Sequence, residues 1–175
     1  MIFNKTKING VYIIKPELKI DERGYFTRIF CKEEFLKIGL DFNIVQINQS
    51  LTKKKGTIRG MHFQQEPKME DKIVQCLKGA IYDVVIDLRE NSSTYGQWVA
   101  EELSEDNKRI FFIPKGFAHG FQALTNNCKT LYFMSEFHAP ECASGVRWND
   151  PFFNIKWPLK LTTISEKDKN WPLIK

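Results

Sequence analysis

The sequence lacks any long apolar segment. Although 42% of its 175 residues are hydrophobic, no apolar run approaches the roughly 20 residues that a membrane-spanning helix needs. The first residues soon turn polar and contain neither the apolar block nor the cleavage site of a signal peptide. These absences exclude a transmembrane helix, so no membrane partner is expected, and they predict a cytoplasmic protein.

Cysteine is scarce and scattered. Cys31, Cys76, Cys128 and Cys142 include no Cys-x-x-Cys pair, so a zinc ribbon is not expected. A chain of this length can bury a sizeable core without disulfides, and cytoplasmic thiols stay reduced. We therefore expect four free structural thiols.

Charge of one sign is only slightly in excess. The formal net charge is +5, and part of it comes from the three lysines at 53–55. No basic stripe with interleaved aromatic residues and no nucleic-acid recognition motif accompanies them, so no nucleic-acid partner is expected. A mild positive charge suits a small anionic substrate such as a nucleotide diphosphate.

Short segments rich in β-branched and aromatic residues are abundant, and turn residues separate them. Many short strands predict an all-β sandwich or barrel. Without an internal repeat or a linker, one domain over residues 1–175 is the simplest expectation. The predicted strands cover residues 11–14, 25–30, 43–49, 57–63, 72–77, 80–88, 97–103, 109–113, 120–124 and 130–136.

Helical signal is weak. Residues 32–39 combine apolar positions with a closing Gly39, which predicts one short helix. Residues 104–107 predict a single turn, and Ser165 is suited to cap a second turn over 165–168. The sequence therefore predicts a β-rich domain with a few short helices.

Three histidines occur, namely His62, His119 and His138. Small barrels of the cupin kind often hold a transition metal with three histidines and a carboxylate, and their first motif needs a His-x-His pair. Here Phe63 and Gln64 follow His62, and two histidines plus an amide make a poor metal site. We therefore expect no metal.

Acid–base chemistry is the stronger interpretation of these residues. A neutral histidine can remove a proton if a carboxylate fixes its tautomer and stabilises the imidazolium. Lys72 can stabilise an enolate oxygen, and Tyr132 can return a proton. Sequence spacing does not select the carboxylate; the candidates are Asp83, Asp87, Asp150 and Asp168.

Several motifs occur in an order that resembles one known family. The chain is similar over nearly its whole length to the dTDP-4-dehydrorhamnose 3,5-epimerases, nucleotide-sugar epimerases with a cupin-like jelly-roll fold. The motifs that carry the resemblance are Asp21-x-Arg-Gly-x-Phe26, Gln46-x-Asn-x-Ser50, Arg59-Gly-Met-His-Phe-Gln64, Lys72-x-Val74, the block from Ile113 to Phe121, Leu131-Tyr132, the block from Arg147 to Pro151 and Ser165-Glu-Lys-Asp168.

The resemblance implies a cofactor-independent epimerisation at C3, with C5 as a second centre, of a nucleotide-diphospho-4-keto-6-deoxyhexose. The C4 ketone acidifies the hydrogens on these neighbouring carbons. By resemblance, His62 is the base and Asp168 is its dyad partner. Lys72 stabilises the enolate at O4, and Tyr132 delivers a proton to the opposite face of the sugar.

The resemblance also implies a set of substrate-binding residues. The guanidinium groups of Arg23 and Arg59 suit the diphosphate, because a planar fork grips phosphate oxygens in pairs. The family usually forms homodimers in which strands are shared and the partner chain completes the nucleotide site, so Arg23 and its neighbours are expected to act across that interface. The binding positions are Arg23, Phe26, Arg28, Gln46, Asn48, Arg59, His119, His138 and Lys167.

Three positions at the nucleotide end depart from the family pattern. Arg28 replaces a glutamate, Phe137-His138 replaces a tyrosine pair, and Ala143 replaces a second glutamate. Arginine only donates hydrogen bonds, so it suits the acceptors of cytosine or guanine better than the N3–H of thymine. We hypothesise a changed base preference, for CDP or GDP in place of dTDP.

Other functions remain open at this point. The loss of a tyrosine hydroxyl at Phe137 is compatible with inversion at C3 alone. A 3,4-ketoisomerase uses the same enolate chemistry but moves the ketone. The alternatives from other classes are a metal-dependent cupin enzyme and a non-catalytic nucleotide-sugar binder, because a cupin scaffold does not dictate activity.

Overall fold

The structure is a computed structural model that describes residues 1–174 and is built mainly of β-strands. Lys175, the last residue of the expected domain, lies outside the described residues. The strands are β1 (Ile2–Lys5), β2 (Tyr12–Lys15), β3 (Leu18–Asp21), β4 (Gly24–Thr27), β5 (Gln46–Thr52), β6 (Ile58–Gln64), β7 (Lys72–Lys78), β8 (Ala80–Asp87), β9 (Trp98–Ser104), β10 (Ile110–Ile113), β11 (Phe117–Ala123), β12 (Cys128–Met134) and β13 (Ala143–Gly145), and the helices are α1 (Lys32–Leu36) and α2 (Glu166–Lys169).

Two antiparallel sheets form the body of the molecule. One has the strand order β1-β2-β10-β7-β12-β5 and the other the order β13-β6-β11-β8-β9. Most neighbouring strands are distant in sequence, as in a jelly roll. The hairpin β3–β4 forms a separate two-stranded sheet. The expected all-β, cupin-like fold is confirmed.

The main core lies between the two sheets. Alternate residues of each strand point to opposite faces, so Val74 and Phe111 from one sheet meet Ile81, Val85 and Phe121 from the other. All five side chains are buried. These strands are rich in β-branched and aromatic residues, which is why they were predictable from the sequence.

Two smaller clusters cover the outer faces of the sheets. Phe35 of α1 and Phe42 pack on Phe112 outside the six-stranded sheet. Phe153 packs on Val84 outside the five-stranded sheet. The outer faces of both sheets are therefore covered by apolar side chains, whereas the cavity described below lies between the sheets and is lined by polar residues.

Every predicted strand overlaps an observed one, but several boundaries were wrong. The strand predicted at 25–30 ends at Thr27, the strand predicted at 43–49 begins only at Gln46, and β11 begins at Phe117 rather than at 120. The predicted helix at 32–39 ends at Leu36, while Gly39 adopts a positive φ of 81° after it. The turn after Ser104 and the helix capped by Ser165 are observed.

The strands β1, β3 and β13 were not predicted. All four residues of β3 are exposed, so no alternation between buried and exposed positions marks this strand. All four cysteines are free, and three of them are buried. Within residues 1–174, no helix has both the length and the apolar character needed to cross a membrane.

Candidate active site

A cavity of about 680 Å³ lies between the sheets. Residues from both sheets and from α2 line it. All four predicted catalytic residues and most of the predicted binding residues are among them: Gln46, Asn48, Arg59, His62, Lys72, His119, Tyr132, His138, Lys167 and Asp168.

His62 on β6 contacts Asp168 on α2. The distance from His62 Nε2 to Asp168 Oδ1 is 2.6 Å. The second carboxylate oxygen accepts a hydrogen bond from the backbone N–H of Gly60 at 3.1 Å. Ser165, the N-cap of α2, accepts from the N–H of Asp168 and so fixes the start of the helix. The carboxylate is thus held at both oxygens and orients the imidazole.

This pairing sets the charge state of Asp168. Burial by itself would raise the pKa of the carboxyl, but the contacts with His62 and the Gly60 N–H outweigh it and hold the pKa below its ordinary value. Asp168 is therefore ionised at neutral pH. An ionised partner stabilises the imidazolium that forms when His62 accepts a proton.

Tyr132 lies on β12, in the sheet opposite to that of His62. Its hydroxyl is 3.1 Å from Ser50 Oγ on β5. Burial, with a further contribution from the Asp83 carboxylate, raises the pKa of Tyr132 to about 12, although the Ser50 hydrogen bond acts in the other direction. The phenol keeps its proton at neutral pH and can act as an acid.

Lys72 at the start of β7 forms an ion pair with Glu70. The distance from Nζ to Oε1 is 2.8 Å, and the two side chains are only 6% and 9% exposed. Both residues line the cavity. A buried ammonium with a fixed carboxylate partner is well placed to face a developing enolate oxygen.

A second histidine–carboxylate pair lies beside the first. His119 Nε2 is 2.6 Å from Asp83 Oδ1, and both side chains are buried. Burial raises the pKa of Asp83 above its ordinary value, partly offset by His119 and Lys72. His119 on β11 is the direct cross-strand partner of His62 on β6. Both imidazoles are therefore presented by adjacent strands.

Two glycines allow β6 and β11 to approach each other here. A Cβ on Gly60, whose φ is +127°, would stand 2.5 Å from the Cα of Gly120, closer than carbon atoms pack. A register shift between His119 and Phe121 accompanies this contact. The close approach also brings the N–H of Gly60 to Asp168.

The structure divides the four candidate carboxylates among different partners. Asp168 contacts His62, and Asp83 contacts His119. Asp87 binds Arg89, and Asp150 accepts hydrogen bonds from backbone N–H groups near the C-terminus. Only Asp168 and Asp83 therefore remain as histidine partners.

The remaining binding candidates add further polar groups to the lining of the cavity. Arg59 donates to Thr52 Oγ1 at 2.9 Å and to the carbonyl of Leu51 at 3.1 Å. The backbone N–H of His138 donates to Gln46 Oε1. The Nζ of Lys167 stands 5.2 Å from the ring centroid of Trp171. A guanidinium and an ammonium in the lining of one cavity suit an anionic group.

Three predicted binding residues, Arg23, Phe26 and Arg28, do not line this cavity. Arg23 is 85% exposed and pairs with Asp21 in the β3–β4 turn. Phe26 on β4 is 69% exposed. Arg28 forms an ion pair with Glu34, at 2.8 Å, on the outside of the molecule.

Sequence reasoning missed Ser50, Glu70 and Trp171 as cavity residues. Ser50 is two and four residues after Asn48 and Gln46, and Glu70 is two residues before Lys72. Residues two apart in an extended chain share a face, so this spacing was the available signal. For Trp171, near the C-terminus, the sequence carried no comparable signal.

Gln64, considered above as a metal ligand, forms hydrogen bonds with backbone groups. Its amide nitrogen donates to the carbonyls of Lys68 and Phe137, and its oxygen accepts from the N–H of Ala139. Both ends of the amide are thus engaged with backbone groups. Across residues 1–174, no three His, Cys, Asp or Glu side chains form a group that could hold a metal ion.

Comparison with known proteins gives a consistent result. The family model described as dTDP-4-dehydrorhamnose 3,5-epimerase matches residues 5–175. An enzyme of that name from Methanothermobacter thermautotrophicus is 48% identical over 172 residues, which are 97% of this chain and 92% of the relative.

Solved structures show the same relationship. The dTDP-4-dehydrorhamnose 3,5-epimerase of Bacillus anthracis, with TDP and PPi bound, has a TM-score of 0.96 and 40% identity, covering 99% of each chain. A 3'-monoepimerase of Streptomyces bikiniensis in complex with dTDP-quinovose has a TM-score of 0.90 and 29% identity, covering 96% of this chain and 85% of that one. The chain belongs to the dTDP-4-dehydrorhamnose 3,5-epimerase family and is an isomerase of the sugar-epimerase class.

Proposed function

We propose that this enzyme inverts C3, with C5 as a second centre, of a nucleotide-diphospho-4-keto-6-deoxyhexose. The observation that carries the proposal is that His62, paired with Asp168 of α2, and Tyr132 lie on opposite sheets that line one cavity. Inversion of a carbon requires a base on one face of the ring and an acid on the other. This arrangement supplies both.

The reaction follows from the positions of these groups. His62 removes the proton from the carbon beside the ketone, and Asp168 stabilises the imidazolium. The electron pair moves to O4, where the Lys72 ammonium stabilises the enolate. Tyr132 then protonates the same carbon from the opposite face. A positioned acid–base group contributes about 10²–10⁴-fold to the rate, so enolate electrostatics must supply the remainder.

Substrate binding is assigned to the other polar residues that line the cavity. Arg59 and Lys167 bind the diphosphate, and Gln46 and Asn48 contact the substrate through their amides. His138 is placed to stack on the base. His119 acts as a binding residue that Asp83 holds in place.

The direct test is isotope exchange in heavy water. Deuterium is expected at C3, and at C5 if both centres are inverted, as followed by NMR of the sugar product. His62→Ala should abolish exchange while nucleotide binding, measured by calorimetry, is largely retained. Label at neither carbon would refute catalysis, and unchanged exchange in the variant would refute the role of His62. The position of the ketone in the product separates an epimerase from a 3,4-ketoisomerase.

The preference for the base is a separate proposal. Arg28, His138 and Ala143 change the chemistry of the nucleotide end, and the hydrogen-bond donors of Arg28 suit CDP or GDP. In the isolated chain Arg28 is engaged with Glu34, so binding a base requires it to leave that carboxylate. Turnover of dTDP-, CDP- and GDP-linked 4-keto sugars tests the idea, and a strong preference for dTDP would end it.

We also propose a homodimer in which the partner chain completes the nucleotide site. The β3–β4 hairpin is paired only with itself, yet it exposes Leu18, Ile20, Tyr25 and Phe26. Strand β5 is an edge strand that exposes Ile47 and Leu51. Exposed apolar edges favour association with another chain. A hairpin donated to the partner would carry Arg23 to the partner's cavity.

A further inference from the structure

The two groups proposed to move protons differ in their hydrogen-bond partners. The side chain of His62 is 46% exposed within the open cavity and is paired with Asp168. Tyr132 is partly buried, lines the same cavity and lies two residues from Thr130, which is fully buried. Its hydrogen-bond partner is Ser50, which is partly exposed and lines the cavity.

This difference matters because each inversion leaves both groups in the wrong protonation state. His62 has gained a proton from carbon, and Tyr132 has lost one to carbon. His62 can lose its proton directly to water. Tyr132 must regain one. Its neighbour Thr130 is at 0% exposure, and the hydroxyl that the Tyr132 hydroxyl contacts is that of Ser50.

We propose that Ser50 relays a proton from solvent to Tyr132 after each inversion. This inference rests on the proposed function, since it assumes that Tyr132 is the acid. Ser50 acts through Tyr132 and does not itself touch the reacting carbon. The contact it uses is the 3.1 Å contact between Ser50 Oγ and Tyr132 Oη.

The relay neither gains nor loses protons over one catalytic cycle. The tyrosinate takes the hydroxyl proton of Ser50 and forms a new O–H bond, while Ser50 Oγ takes a proton from a solvent donor. The imidazolium of His62 returns one proton to solvent in the same cycle. The net change is zero, as an isomerisation requires, and no redox partner is involved.

The position of Ser50 explains why a hydroxyl serves this purpose. Ser50 lies on edge strand β5, directly opposite Thr130 on β12. A hydroxyl both donates and accepts, so it can pass a proton without holding a charge. The partly exposed edge gives it access to water, while the Tyr132 ring stays packed against the core.

The test compares Ser50→Thr with Ser50→Val, two side chains of nearly equal shape that differ in one hydroxyl. Each is mixed in heavy water with excess substrate, and deuterium per active site is followed by rapid quench. The threonine variant should accumulate label steadily, as the unmodified enzyme does. The valine variant should incorporate the first label per site at a similar rate. Its later rate should be about 100-fold lower, because the acid is no longer reset.

Other outcomes would overturn the inference. Equal steady-state rates for the two variants would show that the hydroxyl is not needed. If the valine variant incorporated the first deuterium per site as slowly as the later ones, Ser50 would serve to hold Tyr132 in place and would not relay a proton. Equal nucleotide affinity of both variants, measured by calorimetry, verifies that they fold. Absence of label with the unmodified enzyme would instead refute the proposed function, and the relay with it.

Discussion

At the scale of the residue, one carboxylate determines what His62 can do. Asp168 contacts the imidazole at 2.6 Å and is ionised because His62 and the Gly60 N–H stabilise its charge. An asparagine would keep the shape but would remove the charge and could favour the wrong tautomer of the ring. The contribution of Asp168 is therefore electrostatic as well as geometric.

We predict that Asp168→Asn lowers the rate of deuterium exchange by about 10³-fold or more. Binding of the nucleotide, measured by calorimetry, should change little. Asp41→Asn is a matched control, because Asp41 is 71% exposed and pairs with Lys32 away from the cavity. Exchange rates within threefold of each other for the two variants would contradict the role of Asp168.

The buried pair of Glu70 and Lys72 predicts a stability effect. Glu70→Gln leaves the Lys72 ammonium without the carboxylate that lies 2.8 Å away. Breaking a buried ion pair typically costs about 3–5 kcal/mol, and we expect the free energy of unfolding to fall by about 3 kcal/mol, near the lower end of that range.

Urea denaturation measures this loss. The exposed pair of Lys169 and Glu166 provides the control, because both side chains are more than half exposed and Glu166→Gln should change stability by less than about 1 kcal/mol. If the two glutamine variants lost equal stability, the Glu70–Lys72 pair would not be the source of the effect.

At the scale of the element, the junction of β6 and β11 positions both imidazoles. The strands approach closely because neither Gly60 nor Gly120 has a side chain. The same junction presents the Gly60 N–H to Asp168. The geometry of the His62–Asp168 pair thus depends on backbone packing as well as on side chains.

We predict that Gly60→Ala destabilises the protein by about 3 kcal/mol and strongly reduces exchange. The added Cβ would meet the Cα of Gly120 at 2.5 Å and would push β6 away from β11. Gly39→Ala is the control, since Gly39 also has a positive φ but has no atom within 4 Å of an added Cβ. Equal losses of stability would mean that strand contact is not the cause.

The connection after β8 predicts a pH dependence of stability. Burial alone would raise the pKa of Asp87, but hydrogen bonds from Arg89, Ser92 and Thr94 outweigh it and hold the pKa well below its ordinary value. In the unfolded chain this carboxyl titrates near pH ~3.9. Its stabilising contribution is therefore complete above that pH and is lost as the pH falls toward the folded pKa.

We expect the free energy of unfolding to fall as the pH is lowered below about 4. Asp87→Asn should be less stable at neutral pH and should show a shallower loss in acid. Urea denaturation at several pH values measures both. An acid dependence identical in the two proteins would assign the effect to other carboxyls.

At the scale of the whole molecule, the described chain leaves one hairpin without a partner strand. Its exposed Phe26 and Arg23 are binding residues by resemblance, but they lie outside the chain's own cavity. A homodimer with exchanged hairpins would satisfy both facts. The site would then be complete only in the assembly.

A mixing experiment tests this prediction. Arg23→Ala and His62→Ala chains should each be nearly inactive alone. When the two chains are mixed and allowed to exchange subunits, half of the dimers become mixed, and each mixed dimer contains one intact site out of two. The mixture should therefore recover about a quarter of the unmodified activity. No recovery, despite a dimeric mass by light scattering, would contradict a site shared between chains.

The sequence by itself determined most of the strands, the fold class and the type of chemistry. Segments rich in β-branched residues, such as those around Val74 and Val85, lie between turn residues, and both signals are visible in any short window. The ordered motifs around His62 and His119 indicated the family for the same reason, since each motif is local.

The tertiary structure decided which groups meet, a choice that the resemblance implied for His62 and Asp168 but that sequence spacing could not make. His62 and Asp168 are 106 residues apart in sequence, and His119 and Asp83 are 36 apart. The chain carries other aspartates at comparable distances, so spacing could not select these two. Strand register and the close approach of β6 to β11 make the selection, because they fix which side chains share one face and one cavity. The contact of Ser50 with Tyr132, which are 82 residues apart, arises in the same way, from packing that no local pattern encodes.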